Sequence, residues 1–388
     1  MSADAATVPA APPVTGAWRD GDPVGRRRFA EVGALRLESG ATLPGVRVAY
    51  ETWGTLSPAR DNAVLVLHAL TGDSHVVGEP GPGHATGGWW NGLVGPGLAL
   101  DTDRWFVVAP NVLGGCQGTT GPASPDPDGR TWGSRFPFLT VRDQVAAEAA
   151  LADALGIARW GLVVGGSMGG MRAVEWGVTH PERVERLLVL ASTPYATGDQ
   201  IAWCAAQLAA IRADAGYRGG DYHDAPPGTG PHLGLGVARR IAHATYRSQP
   251  ELNLRFGRRP QPGEHPLAGR GRYAVESYLD HQADKLVRRF DAASYVVLTE
   301  AMNSHDVGRG RGGTAAALAR VRARTAVAAI DSDRLYPVDL GRELADGVPG
   351  SLPLRVIESP YGHDGFLIET DAVARLLADL LGADLTVR

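Results

Sequence analysis

The stretch "LVVGGSMGGMRAVEW", residues 162–176, runs from a continuous apolar segment, through four glycines and one serine, into a segment with helical spacing. Gly165, Gly166, Gly169 and Gly170 surround Ser167. A tight strand-to-helix turn needs residues without a Cβ. The spacing G-x-S-x-G at such a turn presents a serine hydroxyl at its exposed tip. Ser167 is therefore a candidate nucleophile, provided a strand precedes it, a helix follows, and an acid and a base come later in the chain.

Both flanks read that way. Upstream, Thr140 and Asp143 have the spacing of a capping box, and "VRDQVAAEAALADALG" continues with helical periodicity to Gly156. "WGLVV" is then a strand, "MRAVEWGVTHP" a helix and "VERLLVLAS" another strand. Repeated β-α-β units build a parallel sheet covered by helices on both faces. Further upstream, the alternation from Phe29 to Trp53 predicts a hairpin at a sheet edge. The apolar run from Asn62 to Leu70 predicts a strand buried on both faces, and "RWFVVAPNV" predicts one more. After Ala191 the alternation stops. From about Thr197 to Gly310 only helical stretches and polar loops appear, which reads as a helical lid inserted into the sheet. Strands return at Thr325–Asp331 and Leu354–Ser359. The expected division is a mobile tail (1–28), a first core part (29–196), a lid (197–310) and a second core part (311–388).

Composition removes several classes of function. The 388 residues are 44% hydrophobic and 21% charged, with a formal net charge of -4. That gives no electrostatic reason to expect nucleic acid or an anionic membrane as partner. Lys285 is the single lysine, so no G-x-x-x-x-G-K-[ST] phosphate loop exists. The two cysteines, Cys116 and Cys204, support neither a disulfide framework nor a cysteine-rich zinc site. No metal is expected, and Cys116 reads as a small buried residue. "GRGRGG" (308–313) matches G-x-G-x-x-G but follows no strand, so it reads as a flexible return loop. No run approaches a membrane span and the amino terminus is not a secretory signal, so the expected location is the cytoplasm.

The partners of Ser167 come from the returning strands. "TAVAAI" ends in "DSDRLYP", which places Asp331 and Asp333 past its carboxyl end. "LRVIES" leads into "PYGHDGF", which places His363 in the next loop. Carboxyl ends of parallel strands are where α/β sheets build their sites, and the order serine, acid, histidine suits this turn type. Two oxyanion donors are expected, the backbone N–H of Met168 and that of Leu70 in the loop after "VLVLHAL". His68 and His75 flank this loop and read as ordinary polar residues near a cleft.

Taken together, "HALTGDSH", "DTDRWF", "NVLGGCQGTTGP", "WGSRFP", "VVGGSMGG", "DSDRLYP" and "YGHDGF" resemble the homoserine O-acetyltransferases of the α/β-hydrolase superfamily. The likeness extends through "ARRIAHATYRS", "GRYAVESYLD" and "NSHDVGRGRGG", and runs from about Phe29 to the carboxyl terminus. It implies the α/β-hydrolase fold with a mostly parallel sheet and an inserted helical lid. It implies acetyl transfer from acetyl-CoA, as co-substrate, to the hydroxyl of L-homoserine, with no permanently bound cofactor. It also implies roles. Ser167 would be the acylated nucleophile, His363 the base and Asp333, rather than Asp331, the acid. Arg239 and Tyr246 would hold the amino-acid substrate and Asp364 would pair with its amine. A homodimer formed through the lid helices is implied as well. Another acyl donor or acceptor (succinyl-CoA, serine or a deacetylcephalosporin) and a plain serine esterase are the alternatives. On charge alone, Arg309 and Arg311 are candidates for the phosphates of CoA.

Overall fold

The computed structural model describes residues 11–382. Its main sheet has eight strands in the order β1-β2-β6-β3-β7-β8-β9-β10. The hairpin β1 (Arg28–Arg36) and β2 (Thr42–Trp53) forms one edge, and β2 pairs antiparallel with β6. The strands β3 (Ala63–Leu67), β6 (Phe106–Pro110), β7 (Leu162–Gly166), β8 (Arg186–Leu190), β9 (Arg324–Ile330) and β10 (Arg355–Ile357) are mutually parallel. Between β3 and β6, two short strands, β4 (Val94–Gly95) and β5 (Leu100–Asp101), pair with each other.

The central strands are apolar along their whole length because both sheet faces are covered. Successive residues point to opposite faces, and the core divides accordingly. Val163, Leu187, Val189 and Val327 join one cluster with α1 (Val141–Ala154) and α2 (Met168–Thr179). Leu162, Val164, Leu188, Leu190 and Ala328 join the other, with the carboxyl-terminal helix. The Thr140–Asp143 capping box forms as the spacing requires.

Between β8 and β9 the chain is helical: α3 (Gly198–Ala213), α4 (His232–Tyr246), α5 (Gln249–Arg255), α6 (Ala274–Val287) and α7 (Ala292–Asn303). A short α8 (Thr314–Leu318) leads back to the sheet. After β9 come α9 (Val338–Gly347), β10, and then α10 (Gly365–Ile368) and α11 (Thr370–Leu381). The lid helices share a cluster with Leu70, Met168 and Tyr336, so their core is continuous with the sheet's carboxyl edge.

Several expectations need correction. The helix α7 was not read from sequence, because its Tyr295-Val296-Val297 run lacks a polar stripe; it is buried nearly all round. β3 and β10 are shorter than their apolar runs, ending at Leu67 and Ile357 where the ladder pairing stops. The "GRGRGG" loop is pinned rather than loose. Arg309 pairs with Glu38 at 2.9 Å and Arg311 with Glu175 at 2.5 Å. Both arginines are thus committed to structural carboxylates, which removes the charge argument for CoA phosphates.

The tail is corrected in part. Residues 1–10 lie outside the described residues, but the segment from 11 to 27 is packed. The Trp18 N–H donates to the Cys116 carbonyl at 2.9 Å, and the Gly16 N–H to the Phe290 carbonyl at 3.2 Å. Thr15 donates its hydroxyl to Asp291 at 2.7 Å. Asp291 is fully buried and also accepts from Tyr222 Oη at 2.6 Å, His223 Nε2 at 3.0 Å and the Ser294 N–H at 2.8 Å. Burial opposes its charge, but His223 and these hydrogen bonds outweigh it and hold the carboxyl below the usual range. A depressed native pKa stabilises the fold above the unfolded carboxylate value of about 4, and that contribution disappears as pH falls toward the native value. Asp291→Ala should destabilise the protein by about 3 kcal/mol or more at neutral pH. Urea denaturation should show the gap from the parent narrowing below pH ~4.

Candidate active site

Ser167 occupies the junction of β7 and α2 at φ 58° and ψ −125°, a conformation that side chains rarely adopt. The surrounding glycines are each required by close approach. A Cβ on Gly165 would lie 2.2 Å from the Gly169 carbonyl oxygen, and one on Gly169 would lie 2.1 Å from that of Leu67. A Cβ on Gly166 would meet the Phe366 ring at 2.4 Å, and one on Gly170 would meet Ser192 at 2.5 Å. The turn is held by the Ser167 N–H donating to the Leu190 carbonyl at 3.0 Å and by Ser192 Oγ donating to the Ser167 carbonyl at 2.9 Å.

The structure brings the three expected partners into one hydrogen-bonded chain. His363 Nε2 is 2.8 Å from Ser167 Oγ, and His363 Nδ1 is 2.6 Å from Asp333 Oδ2. Asp333 Oδ1 accepts the backbone N–H groups of Leu335 at 2.8 Å and Tyr336 at 2.9 Å. With Nδ1–H donated to a carboxylate, Nε2 carries the lone pair and can take the serine proton. Asp331 is elsewhere; it accepts the Ser359 N–H at 3.0 Å and ties β9 to the turn after β10. The Tyr336 ring stacks on His363 at 4.7 Å and the Phe366 ring meets it edge-on at 5.5 Å. Sequence reasoning passed over both, although Tyr336 belongs to the quoted "DSDRLYP" and Phe366 to "YGHDGF".

The N–H groups of Leu70 and Met168 donate to no group among the described residues. Leu70 is positioned by a buried network that the sequence reading did not foresee. The His68 ring is buried and bridges its loop to β6's exit, accepting the Val112 N–H at Nε2 (3.0 Å) with Nδ1 2.8 Å from the Ala69 carbonyl. Burial first, then the charge of Arg172, lower its pKa to about 3, so the ring is neutral. Arg172, one turn into α2, donates to the His68 carbonyl and to Glu148 on α1 at 2.6 Å. Glu148 also accepts from Trp176 Nε1 at 2.7 Å.

His75 is buried too, with Nδ1 3.0 Å from Glu51 Oε2 and its ring stacked on His84 at 3.8 Å. Glu51, His75 and His84 bring three possible ligand atoms within 4.8 Å of one another. The rings are only 14° from parallel, so their in-plane lone pairs cannot converge on one ion, and the Arg26 N–H already occupies His84 Nε2 at 3.0 Å. Hydrogen bonding of the loop accounts for the trio better than a metal. Cys116 is buried, which pushes its thiol up to about 12 and leaves no thiolate for chemistry.

One cleft beside Ser167 is lined by Thr71, Arg239, His243, Tyr246, His363 and Asp364. The expected substrate residues thus do meet. Arg239 Nη1 donates to Thr71 Oγ1 at 3.2 Å, and the Arg239 guanidinium lies 5.8 Å from the centre of the Tyr246 ring. Asp364 Oδ2 accepts from Arg247 at 3.3 Å, a partner not anticipated. Burial raises the Asp364 pKa in spite of the positive charges of His363, Arg247 and Arg239. Burial likewise pushes Tyr246 up to about 12 and lowers His243 to about 2, so both rings stay neutral. On the other side of Ser167 lies a more apolar recess walled by Met171, Trp203, Cys204, Met302, Leu335 and Tyr336.

Residues 62–370 match the family described as alpha/beta hydrolase fold. A homoserine O-acetyltransferase of Thermobifida fusca is 66% identical over 370 residues, which is 95% of this chain and 97% of that protein. The crystal structure of homoserine O-acetyltransferase from Bacillus anthracis superposes with a TM-score of 0.83 at 26% identity, covering 93% of this chain and 99% of that one. The crystal structure of esterase E22 gives a TM-score of 0.82, also at 26% identity, over 92% and 99% of the two chains. A strained serine, a histidine relay and a charged cleft on this sheet, with identity of this extent, have one family origin: the chain belongs to the homoserine O-acetyltransferases, on the alpha/beta hydrolase fold.

Proposed function

We propose that the protein transfers an acetyl group from acetyl-CoA to the side-chain hydroxyl of L-homoserine, through an acetyl-Ser167 intermediate. The observation that carries this reading is the Ser167–His363–Asp333 chain opening on a cleft that bears one guanidinium and one carboxylate. Homoserine has the complementary groups, a carboxylate, an ammonium and a hydroxyl.

In the first half-reaction His363 takes the Ser167 proton, Oγ attacks the thioester carbonyl, and the carbon–sulfur bond breaks as CoA leaves with that proton. The N–H groups of Leu70 and Met168 stabilise the oxyanion, each donor worth about 3 kcal/mol. Asp333 fixes the imidazole and balances its positive charge. In the second half-reaction Arg239 holds the homoserine carboxylate, Asp364 its ammonium, and Tyr246 closes the wall. His363 then deprotonates the hydroxyl, which attacks the acetyl carbonyl. The bond from Ser167 Oγ to the acetyl carbon breaks, Ser167 takes the proton back from His363, and O-acetyl-L-homoserine leaves. Orienting the acceptor is what lets it compete with water, through effective molarities on the order of 10⁵ M or more.

Hydrolysis is the second reading, favoured by the likeness to esterase E22. CoA release from acetyl-CoA, followed with and without homoserine and with succinyl-CoA and serine in parallel, separates the two. Release that depends on homoserine and falls by ~10⁴-fold in Ser167→Ala supports transfer; release indifferent to homoserine means hydrolysis.

Asp364→Asn should raise the KM for homoserine by ~30-fold or more, as expected for a lost charge pair. Because the Asp364 pKa is raised, its charge is lost as pH falls while still above the ordinary carboxylate range. The parent's homoserine KM should therefore rise in that acid range, and the Asn variant should lack that rise.

The proposal includes a cytoplasmic homodimer formed through the helical block, with no permanently bound cofactor. Leu233, Leu254 and Leu267 of that block are 73%, 88% and 98% exposed, more than any other large hydrophobic residue described. No helix among the described residues is long and apolar enough to cross a membrane. Leu254→Glu with Leu267→Glu should shift the mass measured by light scattering from dimer to monomer.

A further inference from the structure

Thr71 is one residue past Leu70, in the wall of the cleft, and two guanidiniums reach it from the helical block. Arg239, on α4, donates to its hydroxyl at 3.2 Å. Arg289, two residues beyond the end of α6, donates from Nη1 to its carbonyl at 2.8 Å. Other arginines of the block are matched to acids: Arg240 pairs with Asp280 at 2.8 Å and Arg247 with Glu251 at 2.8 Å. Neither Arg239 nor Arg289 has a carboxylate within ion-pair distance among the described residues, and the Nε of each is buried without an acceptor. Burial first, then the charge of Arg239, lower the Arg289 pKa, and Asp73 offsets this only in part. Two half-buried like charges bonded to one residue's carbonyl and hydroxyl, neither paired to a carboxylate, favour an anion joining them.

We propose that Arg289 is a specificity-determining residue for the acceptor, acting with Arg239 through Thr71 to make the cleft select alcohols that carry a carboxylate. This inference rests on the acyl-transfer reading above. Arg289 works as a positioning residue. Its bond to the Thr71 carbonyl fixes the hydroxyl that Arg239 uses, and its charge deepens the positive potential that Arg239 presents. The anion is the acceptor's carboxylate rather than a CoA phosphate, because Arg239 lines the cleft with Leu70 and Ser167 and Arg289 is bonded to Thr71, the residue after Leu70. The phosphates lie a pantetheine arm away from the thioester carbon.

The test compares two acceptors, L-homoserine and 3-aminopropan-1-ol, which is homoserine without its carboxylate, each with acetyl-CoA and the full-length protein. The ratio of their kcat/KM values is measured for the parent, Arg289→Met and Arg289→Lys. The expected result is a preference for homoserine that falls by ~10-fold or more in Arg289→Met, carried by the homoserine KM, with Arg289→Lys in between because it keeps the charge. Equal losses for both acceptors would overturn the proposal in favour of a purely structural role. A raised KM for acetyl-CoA with an unchanged acceptor ratio would overturn it in favour of a phosphate site. Where Arg289→Met fails to fold, the parent-to-Lys change in the ratio decides alone, and no change overturns the proposal. Parent protein that releases CoA without regard to either acceptor would defeat the transfer reading itself, a result separate from these.

Discussion

Everything at this site depends on one strained residue. Ser167 keeps φ 58° only because the backbone around it is packed too closely for any relaxation. Gly165, Gly166, Gly169 and Gly170 let β7, α2, β3 and the Phe366 ring approach within distances that a Cβ would forbid. Strain of this kind persists where the surroundings over-determine it. Here two strands and a helix do so, which fixes the hydroxyl relative to the ends of β9 and β10, where Asp333 and His363 sit.

A second constraint transmits that geometry to the loop on the far side of the serine. Arg172 follows Ser167 on α2 and reaches both Glu148 and the His68 carbonyl, so α1, α2 and the turn carrying Leu70 form one rigid unit. A buried ion pair is seldom a net gain over apolar packing. Its value here is directional: the guanidinium fixes the spacing between the backbone after β3 and the first turn of α2, whose two N–H groups need to face the same point.

Local patterns carried most of the fold and the chemistry of the site. The apolar runs, the Thr140 capping box and the glycine spacing each act within a few residues, so they are visible in the chain. The choice between Asp331 and Asp333 was not visible by spacing alone. It is made by the turn that follows, whose Leu335 and Tyr336 N–H groups converge on Asp333. What stayed hidden was pairwise and distant. Thr15 meets Asp291 across 276 positions, and Arg311 meets Glu175 across 136. Arg289 shows the same limit within the site, since nothing in "KLVRRF" distinguishes it from its neighbour until Thr71, 218 positions earlier, is placed beside it.

The helical block leaves the sheet after Leu190 and returns at Arg324, on two strands that are hydrogen-bonded neighbours. Leu190 pairs with Ala328 and Arg186 with Arg324, so the block departs from one end of this parallel strand pair and re-enters at the other; the sheet sets that span but not the block's internal length. The serine, aspartate and histidine all lie outside the block, whereas Arg239, Tyr246 and Arg289 lie within it. The triad and one wall of the cleft are thereby carried by separable parts of one chain, while Thr71 and Asp364 complete the cleft from outside the block. A lineage can rewrite the inserted helices, and with them that wall of the cleft, while the strained turn beneath is inherited unchanged.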